Sequence, residues 1–276
     1  MVNLFNYIER SSPVHRLTGA TKLLCLLLWS FAAMATYDTR LLLVLSILSV
    51  FLFRLSKIRL RDVSFMLGFT AAFMLLNNLL VFLFSPQHGV EIYGTSHVLL
   101  HLGKRYSLTQ EQLFYHLNLF LKYLSTIPMV LLFVSTTNPS EFAASLNRIG
   151  VPYSIAYSVA LALRYIPDIQ KEYHDISLAQ QARGIELSKK ENLFKRLKSA
   201  SSILTPLILS SIDRIEIISN AMELRCFGKN KKRTWYMARR FAPADIIAIV
   251  FCCLLVVLTF ALSLLNHGRF YNPFGG

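Results

Sequence analysis

Apolar residues in this chain gather into blocks set apart by short polar or basic stretches. The blocks are Leu23–Tyr37, Leu41–Phe53, Val63–Phe84, Leu113–Ser135 and Ala244–Leu265. A helix needs about 20 apolar residues to cross the hydrocarbon core. The last three blocks meet that length. The first two are short, so they take in flanking residues or form a tilted hairpin around Asp38-Thr39-Arg40. The pattern predicts five spans.

Between residues 137 and 243 the continuous blocks give way to helical periodicity. Asn138 suits an N-cap, Pro139 the first helical position, and Glu141 a capping-box acid. That helix carries Phe142, Leu146 and Ile149 on one side and stops at Gly150. Pro152 opens the next, which runs to Arg183 with a kink expected at Pro167 and Gly184 as its C′ residue. Ser188-Lys189-Lys190-Glu191 reads as a second capping box, opening a helix that passes Pro206 and ends near Arg225, with Gly228 beyond. Two apolar stripes result, Ile155, Val159, Leu163 and Ile166 on one helix and Ile203, Leu207 and Ile212 on the other. Such faces pack on each other, on the membrane surface or on another subunit.

Composition agrees with a membrane protein: 54% of the 276 residues are hydrophobic and 16% charged, and mean hydropathy is +0.46. The formal charge of +14 is placed by topology. Residues 54–62 carry Arg54, Lys57, Arg59 and Arg61 against Asp62 alone, and 137–243 is richer still. The 38–40 turn and the 85–112 loop hold only Arg40, Lys104 and Arg105. With the N-terminus in the cytoplasm, both basic loops fall inside. The excess also suits phosphate headgroups, and no recognition motif for nucleic acid accompanies it. Residues 1–22 precede the first apolar block, and no small-residue cleavage site stands out after that block, so it is read as retained.

Candidate chemistry is sparse. Cys25, Cys226, Cys252 and Cys253 form neither a Cys-x-x-Cys pair nor a Cys/His cluster. His97 and His101 stand at helical spacing in the outer loop, and a pair without further ligands reads as surface polarity rather than a metal site. Asn77, Asn78 and Lys122 lie inside spans; the asparagines are expected to bond neighbouring helices and Lys122 to snorkel outward. No Gly-x-x-x-x-Gly-Lys-Ser/Thr loop is present, so ATP hydrolysis would fall to another polypeptide. The remaining feature is a repeated setting. Arg183 follows Ala182 and precedes Gly184; Arg225, 42 residues on, follows Leu224 and precedes Cys226. A cation there complements the helix dipole. It can equally reach a partner's carboxylate or carbonyls by bidentate bonds, with a small neighbour allowing close approach. The residues alone leave both readings standing.

The ordered motifs resemble the transmembrane T component (EcfT/CbiQ family) of energy-coupling-factor (ECF) ABC-type transporters. The resemblance rests on Ser12-Pro13-Val14-His15-Arg16-Leu17 with Thr21-Lys22-Leu23-Leu24, on Thr137 to Phe142 through Leu146 to Pro152, and on Ala162 to Pro167. It continues through Ala179 to Gly184 and Ala221 to Gly228, with Arg233-Thr234 beyond, and so covers nearly the whole chain. It implies an all-α membrane protein with a module of long amphipathic coupling helices. It also implies that Ala182-Arg183-Gly184 and Leu224-Arg225-Cys226 dock two cytosolic ABC-type ATPases, which bind the ATP. Leu224 and Cys226 depart from the small-Arg-small pattern, so the second contact is expected to be looser. Further implications are a membrane-embedded substrate-binding S component, uptake of a vitamin or metal ion such as cobalt, and a prokaryotic plasma membrane.

The organisation expected is an N-terminal membrane region over 1–136, a cytoplasmic coupling module over 137–243, and a C-terminal span and tail over 244–276. The stripe Ile155, Val159, Leu163 and Ile166 is assigned as the seat of the S component, with neither cofactor nor metal in this chain and no enzyme activity. The competing reading is a conventional ABC importer permease that forms the substrate path itself. Such a permease needs a polar cavity along spans that here are mostly Leu, Phe, Val and Ile.

Overall fold

A computed structural model describes residues 12–101, 107–184, 193–229, 234–235, 239–266 and 268–274. In chain order its elements are α1 (Pro13–Arg16), α2 (Gly19–Ala35), α3 (Thr39–Leu55), α4 (Ser64–Phe84), α5 (His88–Tyr93), β1 (Val98–His101), β2 (Ser107–Thr109), α6 (Gln110–Thr136), α7 (Pro139–Arg148), α8 (Tyr153–Ala182), α9 (Leu193–Leu224) and α10 (Pro243–Leu265). They fall into two compact units. One comprises Met1–Asn138 with Arg239–Gly276, the other Pro139–Ala238.

The first unit is a helical bundle whose starts are capped. Thr18 Oγ1 accepts from Thr21 N–H ahead of α2, and Asp38 from Arg40 N–H ahead of α3. Pro243 stands in the first turn of α10, where its missing N–H costs nothing. Among the described residues three helices are long and apolar enough to cross a membrane: α4, α6 and α10. Each of α2 and α3 has 17 residues, a rise of about 26 Å, at the lower limit of a span. The outer surfaces of α4 and α10 are almost wholly apolar and exposed, Phe69, Phe73 and Leu79 on one and Ile247, Leu254 and Val257 on the other. Lipid, or an apolar partner, is the medium in which such faces are stable.

Small residues bring the bundle together. Ser46 and Ser49 on α3 donate to the Leu121 and Leu124 carbonyls of α6 at 3.0 and 3.1 Å, a contact that needs two backbones in close approach. Trp29, fully buried, donates its indole N–H to the Ser125 carbonyl at 3.1 Å. Asp245, also fully buried, accepts from Thr18 N–H at 2.8 Å and Ala242 N–H at 2.7 Å, tying the start of α10 to that of α2.

Some expectations need correcting. Lys122 does not snorkel: it is buried, its Nζ donates to the Met34 carbonyl at 3.1 Å and lies 3.2 Å from the centre of the Tyr37 ring. That carbonyl is one of the unsatisfied groups at the end of α2, and the ring face attracts the charge, so partners inside the protein win over the interface. His97 and His101 do not share a helix turn, because β1 is extended there; His97 Nδ1 instead lies 2.7 Å from Glu111. The 85–112 loop thus adds α5 and a two-stranded antiparallel hairpin to an otherwise helical protein. Among the described residues no group of three or more His, Cys, Asp or Glu side chains gathers to hold a metal. Asn78 does bond a neighbouring helix, its Oδ1 lying 3.0 Å from His116 Nδ1 of α6. At the same end Tyr93 accepts from Asn118 and packs edge-on against Phe114, Phe270 and Phe274, and burial pushes its phenol above the ordinary value.

Candidate functional site

The second unit is built from α7, α8 and α9. α7 runs from Pro139 and stops at Gly150, where Gly150 N–H bonds Asn147 O and Val151 N–H bonds Leu146 O. With Gly150 at φ +110° this is a Schellman ending. α8 continues as one helix through Pro167 to Ala182. The capping box at Ser188–Glu191 lies outside the described residues, and α9 is described from Leu193, through Pro206, to Leu224.

α8 and α9 form an antiparallel hairpin. Gln180 Nε2 donates to the Ser202 carbonyl at 3.2 Å, Arg214 Nη2 reaches Glu172 Oε2 at 2.7 Å, and the Tyr157 and Phe227 rings lie 4.7 Å apart. As one helix number rises along this ladder, its partner's falls. Arg183 and Arg225 therefore sit at opposite ends of the hairpin. Arg225 lies level with Leu161, and 22 residues of α8 from there to Arg183 span about 33 Å at 1.5 Å per residue.

Both ends share an arginine C-cap followed by a left-handed residue. Arg183 is the C-cap of α8, its N–H bonding Gln180 O at 3.1 Å, and Gly184 N–H bonds Gln181 O at 2.9 Å with φ +82°. At α9, Cys226 N–H bonds Glu223 O and Phe227 N–H bonds Met222 O, both at 2.9 Å, with Cys226 at φ +54°. Arg225 is thus the C-cap and Cys226 the left-handed C′ residue, as Gly184 is at the other end. α7 shows that the ending itself does not require arginine, since Ile149 takes the same place there. Ala182, Arg183, Gly184, Leu224, Arg225 and Cys226 are all exposed, Leu224 at 87%. Among the described residues neither guanidinium has a hydrogen-bond or ion-pair partner.

The apolar stripe of α8 is less uniform than its spacing suggests. Ile155 is exposed, whereas Val159, Leu163 and Ile166 are half-buried. The α9 stripe divides too: Ile203 and Leu207 are buried and Ile212 exposed. The wider apolar surface comes from Ile208, Ile212, Ile215 and Ile217 of α9, residues that the sequence reading passed over except for Ile212. It also missed the Glu172–Arg214 pair, although that pair shares the 42-residue offset of the two arginines.

The family described as cobalt transport protein, CbiQ, matches residues 10–236. The chain belongs to this family. Other relatives agree. The energy-coupling factor transporter transmembrane protein EcfT of Staphylococcus aureus is 26% identical over 269 residues, covering 93% of this chain and 95% of that one. The protein of the same description from Thermanaerovibrio acidaminovorans is 29% identical over 256 residues, covering 90% and 91%. EcfT 1 of Listeria monocytogenes is 31% identical over 155 residues, 53% of this chain and 57% of its own. The three long apolar helices α4, α6 and α10 agree with membership of this family.

Proposed function

We propose that this chain is the coupling scaffold of an energy-coupling-factor importer, carrying the motion of two cytosolic ABC-type ATPases to a membrane-embedded, substrate-binding S component. The observation that carries the reading is the equivalence of Arg183 and Arg225. Two similar helix endings, each an arginine C-cap followed by a left-handed residue, lie at opposite tips of an antiparallel hairpin about 33 Å apart and suit two similar partners related by a two-fold axis. An ATPase pair that closes on ATP is such a partner. Each exposed guanidinium can make bidentate, charge-assisted bonds in a groove of one ATPase.

ATP binding and hydrolysis belong to those partners, since this sequence has no phosphate-cradling loop. When the ATPases close, the docked tips move with them, and the apolar surface of α8 and α9, including Ile155, passes the displacement to the S component. The S component selects the cargo, a vitamin or a metal ion. The excess of Lys and Arg in 54–62 and in the second unit supports a cytoplasmic place for both, with the N-terminus inside and the protein in a prokaryotic plasma membrane.

The test is co-purification. In the Arg183→Glu/Arg225→Glu protein, membrane insertion should persist while both ATPases are lost from the complex. A double variant that still holds the ATPases and transports would refute the docking role. The subunit purified alone should neither hydrolyse ATP nor bind a vitamin or metal ion in calorimetry.

A further inference from the structure

Glu172 stands eleven residues before Arg183, and Arg214 eleven before Arg225. In the antiparallel hairpin these equivalent positions meet: Arg214 Nη2 lies 2.7 Å from Glu172 Oε2, and Ser210 Oγ donates to Glu172 Oε1. An approximate two-fold axis that exchanges the two arginine tips passes through this ion pair, about 16 Å from each tip along the hairpin.

The hairpin is packed differently on the two sides of that axis. Toward Arg183, Ile203 and Leu207 are buried and Gln180 bonds the Ser202 carbonyl. Toward Arg225, a groove of about 470 Å³ runs between the helices, lined by Leu161, Tyr165, Ile215, Ile218 and Met222. Ring contacts of Phe227 with Tyr153 and Tyr157 close its far end. Side-chain packing holds the register on the first side, while free volume leaves the second side to the ion pair and the end cluster.

We infer that the Glu172–Arg214 pair is the pivot that sets the spacing of the two docking tips, so that displacement of one tip is delivered to the other. This rests on the proposed docking of ATPases at those tips. The pair is a positioning device and touches neither ATP nor cargo. An ion pair suits the role because two complementary charges fix one register at the midpoint, where the packing of Ile203 and Leu207 gives way to the groove. The groove beside it gives the Arg225 arm room to move.

The experiment uses the full chain in lipid nanodiscs, in a cysteine-free background with spin labels at Ala179→Cys and Ala221→Cys. Both positions are exposed, and they are related by the same 42-residue offset. Electron-spin distance measurements on the subunit alone should give a narrow distribution for the parent pair, and a broader or shifted one for Glu172→Gln and for Arg214→Gln. In the assembled transporter without labels, each variant should keep its ATPases but lose several-fold in cargo moved per ATP hydrolysed. The exchanged pair, Glu172→Arg with Arg214→Glu, should restore both readouts.

Unchanged distances in the single variants overturn the pivot whatever the ATPases do, and so do altered distances with unchanged transport per ATP. Should the single variants not fold, the exchanged pair decides: recovery supports the pivot, and failure to recover either readout overturns it. Failure of the docking reading shows elsewhere, as ATPases retained by the Arg183→Glu/Arg225→Glu protein, and leaves the distance measurement valid.

Discussion

Gly184 and Cys226 occupy the same position in two helix endings, each following a C-cap arginine and each in left-handed backbone, at φ +82° and +54°. Glycine takes that conformation freely, whereas a residue with a Cβ loses roughly 1 kcal/mol there. Cys226 is exposed, so removing its side chain forfeits little burial. Cys226→Gly should therefore stabilise the α9 ending by about 1 kcal/mol, read as a higher unfolding midpoint in detergent. Gly184→Ala should lose a similar amount. A Cys226→Gly protein no more stable than its parent would argue against a shared geometry at the two ends.

Gly89 is where α5 lies closest to α6. A Cβ on it would stand 2.6 Å from Gln112 N and from Glu111 C, both backbone atoms that cannot rotate aside. The Gly89 N–H also donates to Gln112 Oε1 at 2.7 Å. Gly89→Ala should push α5 off the bundle at a cost of about 1–3 kcal/mol, with faster amide exchange over residues 88–97. Gly68 in α4 has open space around its Cβ position, and Gly68→Ala should leave the same exchange rates alone. Equal effects from the two substitutions would mean that helix propensity, not the close approach, governs this corner.

Asp245 offers a test of the first unit's frame. Its carboxylate is fully buried and accepts from Thr18 N–H in a buried bond and from Ala242 N–H in a partly buried one. Asp245→Ala leaves the buried Thr18 N–H without its acceptor, at about 1–3 kcal/mol. Asp245→Asn keeps one acceptor and should cost less. Thermal unfolding should thus rank parent, Asn, Ala in falling order, and an Ala variant equal to the parent would remove Asp245 from the frame.

Much of this was legible in the sequence wherever the information is local. The arginine-tipped endings could be read from Ala182-Arg183-Gly184 and from Arg225 through Gly228, because a helix stop depends on a few consecutive residues. The long spans announced themselves by length alone, while α2 and α3, at 17 residues each, sit where length does not decide. What escaped depends on residues far apart in the chain. Lys122 reads as a snorkelling cation until the Met34 carbonyl and the Tyr37 ring, more than 80 residues away, are brought to it. His97 and His101 have helical spacing only if the chain is helical, and here it is extended. The offset linking Glu172 to Arg214 is visible in the numbering, but their contact follows only from the hairpin's register.

The apolar surface of the hairpin divides into exposed and half-buried positions. Ile155 is 55% exposed and Ile217 69%, whereas Leu163 is half-buried against its neighbours. An apolar side chain gains roughly 1.5–3 kcal/mol on full burial, so a partner covering exposed residues such as Ile208, Ile212 and Ile215 has a sizeable driving force available. Ile155→Asp and Ile212→Asp alter exposed positions and should leave the fold intact, with the ATPases still bound through Arg183 and Arg225. If this face seats the S component, each should release it from the purified complex and abolish uptake. Leu163→Asp should act differently, lowering the unfolding midpoint because it places a charge where the side chain is partly enclosed. A complex that keeps its S component through both exposed-site substitutions would put the seat elsewhere on the protein. Loss of the ATPases before the S component would instead make the stripe part of the hairpin's own core.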